Sequence, residues 1–106
     1  MNTSHNKYDA IEHLIFNEGL KIKSVDFNNS LDKMHIHLTN DLIFIIPTAS
    51  YASLRNADKR KLNNLELIAG GTGIHWRDLD EDLSLKGFLK DYLKQRIQTE
   101  KELVLS

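Results

Sequence analysis

The chain has 106 residues, which suits one domain able to bury a core at a modest stability margin. Its 41% hydrophobic and 27% charged residues are ordinary for a soluble globular protein, and a formal net charge of −1 gives no general electrostatic grip on nucleic acid or an anionic membrane. The absence of cysteine excludes disulfides, thiolate metal sites and a thiol nucleophile.

The longest apolar run, Leu42 to Ile46, is far too short to span a membrane. The polar start Met1 to His5 has no signal-peptide core behind it, so a cytoplasmic location is expected.

Residues Met1 to Lys7 read as a loose polar tail. Tyr8 to Glu18 reads as a helix with Tyr8, Ile11, Leu14, Ile15 and Glu18 on one face. Asn6 would cap it, with Asp9 three residues on, and Gly19 would stop it; a strand over Ile11 to Phe16 is the alternative. Leu20 to Phe27 reads as a strand, and Asn28-Asn29-Ser30 as a turn. Met34 to Leu38 alternates as a strand should. Asn40-Asp41 then suits a two-residue hairpin turn into Leu42–Ile46, which Pro47 ends.

That turn implies a register in which Thr39 faces Leu42, Leu38 faces Ile43, His37 faces Phe44 and Ile36 faces Ile45. The core face would hold Met34, Ile36, Leu38, Ile43 and Ile45. The other face would hold His35, His37, Leu42, Phe44 and Ile46, too apolar to stand in water and therefore a candidate partner surface.

Short helical turns are expected around Tyr51–Leu54 and Asp58–Leu62, with a short strand at Leu65–Ala69 and a loop at Gly70–Gly73. Ile74 to Asp82 reads as irregular and acidic. A helix follows, capped by Asp82 or Ser84, with Leu85, Phe88, Leu89, Tyr92 and Leu93 as its apolar stripe. Residues Gln98 to Ser106 extend that helix or form a tail. The fold class is α+β: a small antiparallel sheet with a β-hairpin core, short helical turns and a C-terminal amphipathic helix.

The segment Gly73-Ile74-His75-Trp76, followed by Asp78-Leu79-Asp80-Glu81-Asp82-Leu83-Ser84, resembles the signature of the bacterial domain of unknown function 2442 family. The likeness runs over about residues 24–89 without a gap. It includes Ile46-Pro47, Leu54, Asn56-Ala57, Asn64, Leu67-Ile68, Gly70-Gly71 and the run from Gly73 to Gly87. Asn40-Asp41-Leu42 stands where the family commonly has Asp-Gly-Arg, and Ala52-Ser53 where Pro-Arg is common. Leu62 replaces a common arginine and Leu65 a common tryptophan, so an anion-binding role for the family's arginines does not carry over.

The resemblance implies one small α+β domain, found alone or joined to a helix-turn-helix domain. It is often encoded beside a member of the domain of unknown function 4160 family, in an arrangement like toxin–antitoxin pairs. It brings no established chemistry, cofactor or substrate.

His35 and His37 have the spacing of metal ligands on one strand face, with His75, Asp80 or Asp82 as conceivable thirds. Nothing in the sequence brings a third ligand close, so they read as polar residues of the second face. Asp78, Asp80 and Asp82 alternate like the start of a calcium loop, but the required glycine and glutamate positions hold Leu83 and Leu89. Capping of the following helix is favoured, with Asp80–Asp82 as an acidic surface for a basic partner beside it.

His75 with Asp80 and Glu81 is the one acid–base grouping, yet it lacks a nucleophile. His75 and Trp76 are expected to lock the segment to the sheet, the indole N–H donating to a carbonyl. Gly70–Gly73 lacks the Lys-Ser/Thr pair of a phosphate loop and reads as a place of unusual backbone angles. Lys86, Lys90 and Lys94 with Arg96, and Arg55, Lys59, Arg60 and Lys61, read first as solvated surfaces and second as phosphate contacts.

Two functional classes follow. The first is a non-catalytic protein-interaction module, antitoxin-like or regulatory, binding a small protein partner or a second copy. The alternative is a nucleic-acid-binding transcriptional regulator using the basic clusters.

Overall fold

In the computed structural model, which describes residues 9–105 and the side chains of residues 9–96, two three-stranded antiparallel sheets share one core. The expected tail 1–7, the Asn6 cap and Tyr8 lie outside the described residues.

The first helix, α1 (Ala10–Glu12), is capped by Asp9 through a reciprocal capping box. The Glu12 N–H donates to Asp9 Oδ1 at 2.8 Å, and the Asp9 N–H donates to Glu12 Oε1 at 3.1 Å. The helix widens into a π turn over His13–Asn17 and stops at Gly19, whose φ is 74°. The segment is therefore helical, and not a strand. Of its expected inner face Ile15 is buried, whereas Leu14 is exposed.

Strands β1 (Ile22–Phe27), β2 (Lys33–Leu38) and β3 (Ile43–Pro47) form the first sheet in that order. A bulge between Ile22 and Ser24 in β1 adds one residue, so Ile22, Val25 and Phe27 all point inward.

The β2–β3 register departs from the expected one by a residue. Ile36 pairs with Phe44 and His37 with Ile43. The connection is Thr39-Asn40-Asp41, closed by Asp41 N–H to Leu38 C=O at 3.1 Å and Leu38 N–H to Leu42 C=O at 2.9 Å. Asp41 takes φ 68°, the left-handed residue that ends a three-residue hairpin loop.

A one-residue slip turns a whole strand over. Ile46 is thus inside at 3% exposure, and Phe44 packs against Tyr92 at 4.8 Å between ring centroids. Ile43 and Ile45, expected in the core, are 52% and 53% exposed. The expected partner face of His35, His37, Leu42, Phe44 and Ile46 is corrected accordingly: Phe44, Ile46 and Leu42, which lies opposite Leu38, leave it, and Ile43 and Ile45 join the two histidines.

Helices α2 (Ala52–Arg55) and α3 (Lys59–Asn63) follow a 3₁₀ turn (Thr48–Ser50), and Asp58 caps α3 by accepting from Lys61 N–H at 2.9 Å. They bury Leu54 and Leu62.

The second sheet holds β4 (Leu65–Ile68), β5 (Gly73–Trp76) and β6 (Glu81–Ser84). The segment expected to be irregular is a hairpin with Trp76 opposite Glu81 and Asp80 at φ 48° in its loop. Acidic residues are poor strand formers, which hid β6 in the sequence. Gly71, at φ 94°, lies against β1: an added Cβ would meet Lys21 Cβ at 3.2 Å and the Ile22 carbonyl at 3.3 Å.

The last helix, α4 (Leu85–Leu105), is capped by Ser84, whose Oγ accepts from Gly87 N–H at 3.0 Å. Leu85, Phe88 and Leu89 are buried. Among the described residues no helix is long and apolar enough to cross a membrane.

The β2–β3 register predicts a contrast between neighbours. Ile46→Ala should cost about 2–4 kcal/mol in urea unfolding, and Ile45→Ala less than about 1 kcal/mol. Gly71→Ala should cost about 1–3 kcal/mol in the same assay, from its left-handed backbone and the contact with β1.

Candidate functional site

Side chains on a strand alternate, so the outer face of the first sheet carries one cross-strand set. Asp26 lies opposite His35, which lies opposite Ile45; Ser24 lies opposite His37, which lies opposite Ile43. Asp26 bridges the two histidines, with Oδ1 at 2.8 Å from His35 Nδ1 and Oδ2 at 2.7 Å from His37 Nε2. Burial opposes ionisation of Asp26, but the hydrogen bonds from His35 and His37 outweigh it and hold the carboxyl below its ordinary value. A small notch of about 220 Å³ lies at the hairpin end of this face, bordered by Lys23, Ser24, His37 and Ile43.

Asp26 is the residue that sequence reasoning missed. Its signal was available only once β1 and β2 were set in register, because pairing depends on the bulge at Ile22–Ser24. The structure does not bring the conceivable third metal ligands to His35 and His37. His75 and Asp82 belong to the other sheet and pair with each other at 2.5 Å, and Asp80 sits in the β5–β6 loop. Among the described residues no three His, Cys, Asp or Glu side chains are grouped so as to hold a metal ion.

The acidic segment is spent on internal contacts. Asp78 accepts from Asn64 Nδ2 at 2.9 Å, and Glu81 accepts from Ser53 Oγ at 2.5 Å. Asp80 supplies the left-handed turn, a conformation that aspartate tolerates better than most residues. The calcium-loop alternation therefore does not converge, and Ser84 caps α4. Trp76 is fully buried and donates its indole N–H to the Leu62 carbonyl at 2.9 Å, the structural role expected of it. Ile74 is buried beside it, Leu79 packs against the core, and Pro47 ends β3 opposite Lys33.

Gly70 and Gly71 adopt positive φ, and Gly73 packs under Ile68 in β5. The helix that follows β6 does not start at these glycines, so they form no phosphate loop. The outer face of the second sheet is also satisfied: Arg77 pairs with Glu66 at 2.7 Å beside the His75–Asp82 pair. The hydrogen bond from Arg77 holds the Glu66 carboxyl below its ordinary value.

The basic residues divide in the same way. Lys86 pairs with Glu12 at 3.0 Å and Lys90 with Asp9 at 3.7 Å, so this part of the lysine stripe fastens α1 to α4. The hydrogen bond with Glu12 raises the Lys86 pKa. Arg55 donates to the Ala49 carbonyl from Nε and Nη2. Arg60 approaches Asp78 at 3.8 Å, and with Lys59, Asn63 and Asn64 it lines a broad depression on α3. Lys61 lies on the same helix, and Lys94 borders a separate hollow with Ser50 and Asp91.

Comparison with known proteins yields the family described as protein of unknown function (DUF2442), whose model matches residues 22–93. The chain is similar to a protein of unknown function from Rhodospirillum rubrum, solved by crystallography. The two are 28% identical with a TM-score of 0.61, over 68% of this chain and 87% of that one. It is also similar to an uncharacterised protein from Chromobacterium violaceum, solved in solution by NMR. Those two are 26% identical with a TM-score of 0.63, over 85% of each chain. No curated protein matches the chain.

The lowered Asp26 value fixes a sign. A carboxylate depressed in the folded state stabilises above its ordinary titration range and loses that contribution as pH falls through the lowered value. Carbon-detected NMR titration should show Asp26 titrating below the ordinary aspartate range, and the double variant His35→Ala/His37→Ala should move it back up.

Proposed function

This chain belongs to the DUF2442 family, and on that premise we propose that it is a non-catalytic protein-interaction module docking through the outer face of its first sheet. The observation that carries this reading is the pair Ile43 and Ile45, more than half exposed along the edge strand β3 of an otherwise polar face. Interfaces place apolar anchors at the centre and polar groups at the rim. Here the bridged set Asp26, His35 and His37 forms the polar flank, and the two isoleucines offer apolar anchors beside it on the edge strand.

The gene company implied by the resemblance makes a small protein the favoured partner, with this chain in an antitoxin-like or regulatory role in the cytoplasm. The nucleic-acid alternative has weaker support, because Lys86 and Lys90 are already paired with carboxylates of α1.

The test is affinity capture of the tagged chain from its native cells beside two variants. The expected result is one stoichiometric small protein with the wild type, lost with Ile43→Glu/Ile45→Glu and kept with Lys59→Glu/Arg60→Glu. Loss only with the Lys59/Arg60 variant would move the site to α3. No protein captured by the wild type would defeat the reading.

A further inference from the structure

A sheet edge with free N–H and C=O groups is a template for another strand, and folded proteins blunt such edges with charges, bulges or proline. The two sheets here expose four edges: β1, β3, β4 and β6. The first carries Lys23 and Asp26 and a bulge, the third carries Glu66, and the last carries Glu81 and Asp82. β3 alone of the four has no charged residue and no bulge; its sequence is Ile-Phe-Ile-Ile-Pro, and its one blunting residue, Pro47, stands at the strand's end and leaves Ile43 to Ile46 undefended.

The ladder shows which groups of β3 are available. Leu38 N–H donates to Leu42 C=O, and Thr48 N–H donates to Asp32 C=O. In an antiparallel pair hydrogen-bonded positions alternate, so Phe44 and Ile46 face β2 with their backbone groups, and Ile43 and Ile45 aim theirs at the open edge. Pro47 falls in the same outward phase, where its missing N–H costs no ladder bond. The side chains of Ile43 and Ile45 are also the exposed ones.

Resting on the protein-binding reading, we propose that the β3 edge takes a second copy of this chain, the two β3 strands pairing antiparallel about Phe44. The strand is its own complement in that register, as a two-fold contact requires. Ile43 of each copy pairs with Ile45 of the other, all of their free backbone groups are used, and the four isoleucines meet on the outer face.

The charges at the ends agree with this arrangement. Asp41 precedes β3, and Lys33 lies opposite Pro47 at its far end. Antiparallel pairing turns the acidic end of each copy toward the basic end of the other. The result is one continuous sheet across both copies, with the Asp26–His35–His37 sets on the same face.

The test is analytical ultracentrifugation of the purified chain alone, from low to high micromolar concentration. The weight-average mass should rise from 12.2 kDa toward twice that value. Ile45→Pro removes only an outward N–H and Ile45→Lys adds a charge to the edge; both should stay near 12.2 kDa with a circular dichroism spectrum like the wild type's. Phe16→Lys, an exposed change outside the sheet, should still dimerise and serves as a second check.

A wild type that stays monomeric throughout, or a folded Ile45→Pro variant that dimerises as the wild type does, overturns the edge pairing. Neither result touches the protein-binding reading, which the capture experiment decides separately.

Discussion

Asp41 stands in the left-handed region at φ 68°, and this one backbone angle makes the β2–β3 connection three residues long. A shorter loop would turn β3 over. The left-handed conformation costs a residue with a side chain about 1–2 kcal/mol, less for aspartate because its short polar group can bond locally. In return Phe44 reaches Tyr92 of α4, and Ile46 closes over Met34 in the core. Burying an isoleucine is worth roughly 1.5–3 kcal/mol, so packing outweighs the strain of the turn. The exposure of Ile43 and Ile45, the polar set beside them and the outward phase of the edge all follow from that register.

A second constraint joins the two sheets. Trp76, fully buried in β5, ties its indole to the Leu62 carbonyl at the end of α3, and Arg77 N–H returns to the Asn64 carbonyl. Gly71 brings the β4–β5 connection against the start of β1, where no side chain would fit without displacement. The shape of the hairpin loop is thus built from Asp78, Asp80 and Glu81 acting as turn and brace, each with a named partner or backbone role. Charges that looked available for chemistry or for a partner are spent on holding the fold together. The lysines of α4 show the same use, since they hold α1 in place.

What is left over gives the surface its meaning. On the second sheet His75, Asp82, Glu66 and Arg77 are mutually satisfied and present a polar face. On the first sheet Asp26, His35 and His37 are satisfied as well, but two isoleucines beside them are not covered. Exposed apolar area next to an edge blunted only at its end, by Pro47, is a hazard for a chain that stays alone, and a resource for one that pairs.

The sequence by itself determined the α+β class, the strand β2 with its alternating Met34, Ile36 and Leu38, the short helices α2 and α3, the apolar start of α4 and the role of Trp76. In each of these, local periodicity or capping chemistry agrees with the packing that follows. Tertiary structure alone decided the facing of β3, because Leu42 to Ile46 is apolar at every position and such a run carries no phase. It also decided that Glu81–Ser84 is a strand, since pairing with β5 overrides the weak strand preference of acidic residues. The candidate site was half legible: His35 and His37 were visible from their spacing, whereas Asp26, Ile43 and Ile45 join them only through a bulge in one strand and a left-handed residue in one turn. Both devices shift register, and register is a relation between strands that no single stretch of sequence contains.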